Sequence, residues 1–376
     1  MKRISLCCIL VTIAANVLGQ KKFIDRYLSN KTDSSRRASF MPVPILRYSQ
    51  EIGFEIGAGL LYSAYLDKKD LSNRSSNFSG LVSASTKGQY NISLKGDIWT
   101  KKNKHHYITE LRFRKMPFDF FGVGNETLDA DKDRLLQDNI KAVIEAEKQF
   151  WPEMYTGFSI GFENYHFTDK ETGGIFSHDE QILHKFGGSV VYAGLSQTYD
   201  TRNSNNYTTK GFMAKISFQY APDFWGGENF TGSLIRTSIR NFWPLSPKFV
   251  LGLNGIFNTV QGKNTPFYLL PQMGNDEMMR GYYTGRYRDR NLLAGQAELR
   301  YRYNNRFGLA VFGGGGQVFD NGDLSLKSFK PSYGAGGRYF FDPEKGLSVR
   351  LDYGIGEKRA NEKRQTGFYI SLAEAF

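Results

Sequence analysis

Past residue 8 the sequence has no cysteine. Cys7 and Cys8 sit inside an apolar run, 6–15, that follows Lys2 and Arg3. A short apolar core behind a positive start, with Val17-Leu18-Gly19 ahead of Gln20, predicts a secretory signal over 1–19, cut after Gly19. The mature chain would then hold no disulfide, no thiolate nucleophile and no cysteine metal site. Also missing beyond the signal is any run of about 18 apolar residues, the length a spanning helix needs. There is no G-x-S-x-G elbow and no P-loop, and Gly313 to Gly316 leads into no helix, so it is not a phosphate-cradling turn. His105 and His106 are adjacent on an expected strand and point to opposite faces, so they cannot share a metal. His166, His178 and His184 flank an outer loop beside Asp169, Asp179 and Glu180, where a solvated loop explains them better than a metal site. No catalytic residue, no metal and no cofactor is therefore expected.

What the chain does have is aromatic side chains (15%) and 40 glycines, on a background of negative mean hydropathy. A transmembrane β-barrel accounts for this combination, because only alternate residues of each strand meet lipid and the average stays polar. The formal charge is +12, or +10 once Lys2 and Arg3 leave with the signal. The basic residues alternate along strands or lie in loops rather than forming one patch, and the chain is exported, so nucleic acid is not an expected partner. Membrane lipid is.

Residues 20–40 are polar and basic and read as a flexible periplasmic lead-in, too short to fold as a domain. From 41 to 376 strands and turns alternate. Strands are predicted over 42–48, 53–65, 77–86, 89–99, 105–114, 138–150, 155–167, 185–198, 211–220, 230–242, 248–260, 291–303, 307–319, 330–340, 346–353 and 366–376. Sixteen is an even number, as single-chain bacterial barrels require. Short connections such as 152–153 and 304–305 alternate with long ones such as 116–137, 168–184 and 261–290, the asymmetry between periplasmic turns and outer loops. The fold class is all-β: a 16-stranded antiparallel transmembrane barrel in the bacterial outer membrane, with an outer loop inserted in its lumen.

The strand at 291–303 shows the pattern most clearly. Leu293, Ala297, Leu299, Tyr301 and Tyr303 fall on one face, and Gln296, Glu298, Arg300 and Arg302 on the other, as in a wall between lipid and a wet lumen. Just ahead of it runs Arg280-Gly281-Tyr282, in a loop long enough to enter the lumen. Buried arginine needs acceptors, and Glu298 lies on the inward face, so the two are expected to pair. By the same parity Gly314 and Gly316 face inward and would leave room for the loop backbone. At the end of the chain Phe368, Ile370, Leu372 and Phe376 share one face. Glu374 interrupts that row at the expected membrane boundary.

Three features together resemble the BamA/TamA superfamily of outer-membrane barrels, of the surface-antigen type. Asp200-Thr-Arg202 followed by Gly211 resembles its inter-strand turn motif. Gly274 with Arg280-Gly281-Tyr282 resembles its lumen-inserted loop. Ala297-Glu298-Leu-Arg300 followed by Phe312-Gly-Gly314-Gly-Gly316 resembles its paired strand motifs, and the terminal row ending in Phe376 resembles the signal recognised for barrel insertion. The resemblance spans 41–376. It implies insertion or translocation of proteins or lipids, without catalysis, in concert with a periplasmic or outer-membrane protein partner. The other reading is a passive channel or structural barrel. Two departures stand out: the family's soluble POTRA domains have no counterpart in this sequence, and Gly314 stands where the family has the aspartate that meets the loop arginine, which leaves Glu298 as the counter-charge.

Overall fold

Alternating apolar and polar residues drive an extended backbone, and in hydrocarbon every strand must find a neighbour for its N–H and C=O groups. A computed structural model of the chain describes residues 29–30, 34–49, 53–171, 173–180, 182–224 and 229–376. The expected signal peptide lies outside the described residues. Sixteen strands form one antiparallel sheet in sequential order: β1 (Ser39–Ser49), β2 (Gly53–Ala64), β3 (Ser76–Ser85), β4 (Tyr90–Trp99), β5 (His105–Phe120), β6 (Asp133–Trp151), β7 (Met154–Asp169), β8 (Gly187–Asp200), β9 (Gly211–Ala221), β10 (Thr231–Pro244), β11 (Phe249–Lys263), β12 (Asn291–Arg302), β13 (Phe307–Phe319), β14 (Lys330–Asp342), β15 (Leu347–Ile355) and β16 (Thr366–Leu372). Along β12 every even-numbered residue from Leu292 to Arg300 is buried and the odd ones between them are partly exposed. Leu94, Ile144, Ile160 and Leu195 are among the large apolar side chains exposed on the outer wall, which in a membrane is the side that meets lipid.

Among the described residues no ladder joins β1 to β16. Side chains bring the two ends of the sheet together instead. Met41 of β1 and Leu372 of β16 pack on one cluster around Leu61, Phe341 and Leu347. Lys345, in the β14–β15 turn, donates to the Arg37 carbonyl at 2.5 Å and to Ser39 Oγ at 3.1 Å. Both end strands suit an unpaired edge. β1 pairs with β2 over its whole length and carries Pro42 and Pro44. Alternate residues present their backbone nitrogen to the same edge, so these prolines strip donors from one edge, a substitution tolerated where no partner strand follows. β16 has only 7 residues, fewer than the roughly 9–11 that cross the hydrocarbon layer.

The wall is uneven on the outer side. The β4–β5 ladder ends at Tyr90↔Lys115, whereas β5 and β6 continue to Phe120↔Asp133. These two strands are longer than predicted, and the connection between them shrinks from 116–137 to 121–132. The cause is the core. Phe120 and Leu135 are fully buried against Phe176 and Phe267, so the apolar side chains of this extension face inward onto loop residues rather than outward onto lipid.

The two long periplasmic turns, 65–75 and 201–210, pack on one another. Asn206 Nδ2 donates to Ser75 Oγ at 2.9 Å and to the Lys345 carbonyl at 3.0 Å, tying three turns together across the periplasmic mouth. The end of the expected lead-in is held there too. Arg36 is buried, with its guanidinium 3.7 Å from the Tyr65 ring centroid, and it donates to the carbonyls of Asp70 and Asn73 at 2.8 and 2.9 Å. Arg306 reaches the Ser29 carbonyl at 2.7 Å. The described part of that segment is therefore fastened rather than free.

Candidate functional site

The loop 264–290 enters the lumen, and its Met273, Met278, Met279, Tyr282 and Tyr287 pack against Leu292, Ala294 and Val318 of β12 and β13. Arg280 is 0% exposed. Its Nη2 donates to Glu298 Oε2 at 2.7 Å and its Nη1 to Asp352 Oδ2 at 2.5 Å, while its guanidinium lies 3.4 Å from the Phe312 ring centroid. Glu298 was the expected partner. Asp352 of β15 was not foreseen, although it shares the inward parity of Arg350. Around this pair stand three more arginines. Arg300 Nε meets Glu298 at 2.8 Å, and Arg338 Nη1 meets Asp352 at 2.5 Å and Nε meets Glu374 at 3.0 Å. Arg350 bridges Asp352 at 2.7 Å and Asp276 of the loop at 3.1 Å. Four guanidinium groups thus share four carboxylates, three of them buried and Asp276 partly exposed. Charge-assisted hydrogen bonds replace much of the lost solvation, though Nε of Arg280 and of Arg350 are left without a partner among the described residues.

The next two residues complete the clasp. Gly281 has φ +109, and a Cβ there would lie 2.8 Å from backbone atoms of Ile355 and Gly356. Only glycine combines that backbone angle with that approach. Its N–H donates to Tyr369 Oη of β16 at 2.8 Å. Tyr282 Oη donates to the Pro331 carbonyl at 2.6 Å and accepts from the Glu357 N–H at 2.9 Å, and burial raises its pKa. The loop is therefore pinned to β12, β14, β15 and β16, all on the side of the sheet's open end.

Gly314 and Gly316 behave differently from expectation. The atoms that fill the space where their Cβ would sit belong to Leu293, Ala294, Gly295 and Gln296 of the adjacent β12. The loop backbone approaches glycine at Gly354 instead, where a Cβ would lie 2.5 Å from the Arg280 carbonyl carbon. Gly334 and Gly336 make room for the Phe312 ring and the Asp352 carboxylate.

The turn motif forms a second centre on the periplasmic side. Asp200 accepts from Arg202 Nε at 3.0 Å and Nη2 at 2.8 Å, and from Arg74 Nη1 at 2.5 Å. Arg74, whose guanidinium lies 4.5 Å from the Trp99 ring centroid, was not expected. It makes the motif a clamp between two turns rather than a local turn device. Gly211, at φ +110, lets Thr201 and Arg202 pass close to the start of β9.

The C-terminal row divides. Phe368 and Ile370 are about two-thirds exposed on the outer wall, and Leu372 is half-buried. Phe376 does not share their face. Ala373 takes φ +73 and turns the chain inward. Phe376 then packs on Phe242, Val250 and Ala375, with the Arg300 guanidinium 4.9 Å from its ring centroid and Arg300 Nη2 donating to its carbonyl at 2.8 Å. Glu374, expected at the membrane boundary, is buried on Arg338 for the same reason. Among the described residues no cluster of histidine and acidic side chains could hold a metal.

An antiparallel sheet of sixteen strands with its sixth outer loop fastened inside defines a transmembrane β-barrel with an inserted luminal loop. Residues 160–376 match the model of the Omp85 superfamily domain, and the chain belongs to that superfamily of outer-membrane barrels. Its fold is similar to that of BamA from Haemophilus ducreyi lacking POTRA domains 1–3, with a TM-score of 0.54 and 14% identity over 89% of this chain and 70% of that one. It is also similar to CdiB from Acinetobacter baumannii, with a TM-score of 0.54 and 10% identity over 89% of this chain and 59% of that one. No curated protein matches by sequence.

Proposed function

We propose that this barrel inserts or translocates polypeptide at the outer membrane, acting with a periplasmic or outer-membrane protein partner. The observation that carries the reading is the open end of the sheet. Among the described residues β1 and β16 share no ladder, so two strand edges lie beside lipid with backbone groups that hydrocarbon cannot satisfy. An extended segment of another polypeptide satisfies them by adding as a strand. The loop clasp supports the reading, because Arg280, Gly281 and Tyr282 brace β12 to β16 on that side, while β1, laddered to β2, meets the β16 end through side-chain contacts. Of the two cargo classes implied by family resemblance, protein and lipid, an unpaired strand edge favours protein.

A passive channel fits less well. Loop 264–290 occupies the lumen and turns 65–75 and 201–210 pack across the periplasmic mouth, so little free aperture remains. Depleting the protein should lower the folded amount of particular outer-membrane or exported proteins, with unchanged synthesis, as read by quantitative proteomics of the outer membrane. Depletion that alters only small-solute permeability would contradict the proposal and favour the channel.

A further inference from the structure

The outer half of the lumen keeps a cavity of about 710 Å³ that the fastened loop does not fill. Four arginines, Arg112, Arg114, Arg134 and Arg288, line it, and no carboxylate does. Arg112 and Arg134 are answered from outside the lining, by Glu110 and Asp119. Arg288 is not. It is 1% exposed, and its Nε and Nη2 donate to the Gly285 carbonyl at 3.2 and 3.0 Å. Among the described residues no acidic group forms an ion pair with it. Burial pushes its pKa down to about 10, which still leaves it charged at neutral pH. A buried guanidinium without a counter-ion is unfavourable unless an anion completes it.

The surroundings of Arg288 are aromatic. Its guanidinium lies 5.9 Å from the Phe118 ring centroid and 5.8 Å from that of Phe267. Phe267 in turn lies 4.8 Å from Phe167. Cation and apolar wall thus meet in one cavity. Phe118 and Arg134 lie beyond Tyr90↔Lys115, the last ladder pair of β4, so this part of the cavity stands at the outer rim, beside the lower β1–β4 wall.

We propose that this cavity binds a phosphate-bearing amphiphile, with the phosphate on Arg288 and the apolar chain against Phe118 and Phe267. The guanidinium fork matches phosphate oxygens bidentately. The site is separate from the Arg280 lattice, whose charges are balanced among themselves.

The full-length protein, purified in a non-ionic detergent, is offered dodecyl phosphate, inorganic phosphate or dodecanol, and bound molecules are counted by native mass spectrometry. One dodecyl phosphate should be retained per chain, with inorganic phosphate and dodecanol each at least about tenfold weaker. R288Q should weaken dodecyl phosphate at least about tenfold, the scale of one charge-assisted hydrogen bond. No saturable binding, or equal binding by R288Q, overturns the site. Inorganic phosphate binding as tightly as dodecyl phosphate overturns the amphiphile and indicates a free-anion site. If R288Q loses heat-modifiable gel mobility, the sign of a folded barrel, F118S serves instead. It should weaken dodecyl phosphate and leave inorganic phosphate unchanged, and equal effects on both overturn the proposal.

Discussion

Replacing Arg280 with alanine should release the luminal loop without unfolding the barrel, and the lattice sets the size of the effect. Removing one member of an isolated buried ion pair costs about 3–5 kcal/mol, largely because the other charge is stranded. Here the stranding is partial. Without Arg280, Glu298 keeps Arg300 at 2.8 Å, and Asp352 keeps Arg338 at 2.5 Å and Arg350 at 2.7 Å. What is lost is two charge-assisted hydrogen bonds and the contact with the Phe312 ring, so the expected cost is about 3 kcal/mol, at the lower end of that range. Glu298→Gln should cost more. It leaves Arg280, Arg300 and Arg338 around a neutral amide, with Arg300 left to its bonds to the main-chain oxygens of Phe376 and Thr208. The assay is limited trypsin digestion of folded protein in micelles. Arg286 and Arg288 are buried at 1% exposure and should resist cleavage in the wild type, then be cut in R280A, with E298Q cut faster. The same variants should raise conductance in planar bilayers. If R280A keeps the wild-type digestion pattern and conductance, Arg280 does not hold the loop.

Asp200→Asn leaves Arg74 and Arg202 without their shared carboxylate and should cost about 3–5 kcal/mol, read as a lower urea midpoint for loss of heat-modifiable mobility; an unmoved midpoint would show that the clamp contributes nothing. Threonine at both Pro42 and Pro44 should restore two donors to the β1 edge, each worth about 1 kcal/mol if it finds an acceptor, and raise the temperature at which the folded gel band disappears; no rise would mean that edge stays unpaired. Spin labels on single cysteines at Leu299 and Tyr301 should be reached by a membrane-soluble relaxation agent, and labels at Glu298 and Arg300 should not; the reverse pattern would put β12 in the wrong register.

The wall of the barrel was legible because period two is a local property. Leu293 to Arg302 announces its own two faces, and sixteen such segments announce the sheet. Arg280 and Glu298 were legible as a pair because an inward carboxylate follows the loop within 18 residues. Asp352 was not, because it comes from β15 and only the rolled sheet brings it beside Arg280. Arg74 escaped for the same reason, meeting Asp200 across 126 residues of chain. Parity failed at the terminus because it assumes the strand continues. One residue at positive φ, Ala373, ends β16 early and sends Glu374 and Phe376 into the lumen. Parity also marked Gly314 and Gly316 as inward without saying that the adjacent strand β12, mostly through its backbone, takes up the space rather than the loop.

If the open end of this sheet handles polypeptide, chains in transit must pass beside β1 and β16. A photo-crosslinking residue placed in intact cells at Leu46 of β1 or Phe368 of β16, both exposed on the outer wall, tests it directly, with Ile144 of β6 as the control on the continuous wall. Protein adducts are expected at positions 46 and 368, and none at 144. Adducts to lipid alone at all three positions would contradict it.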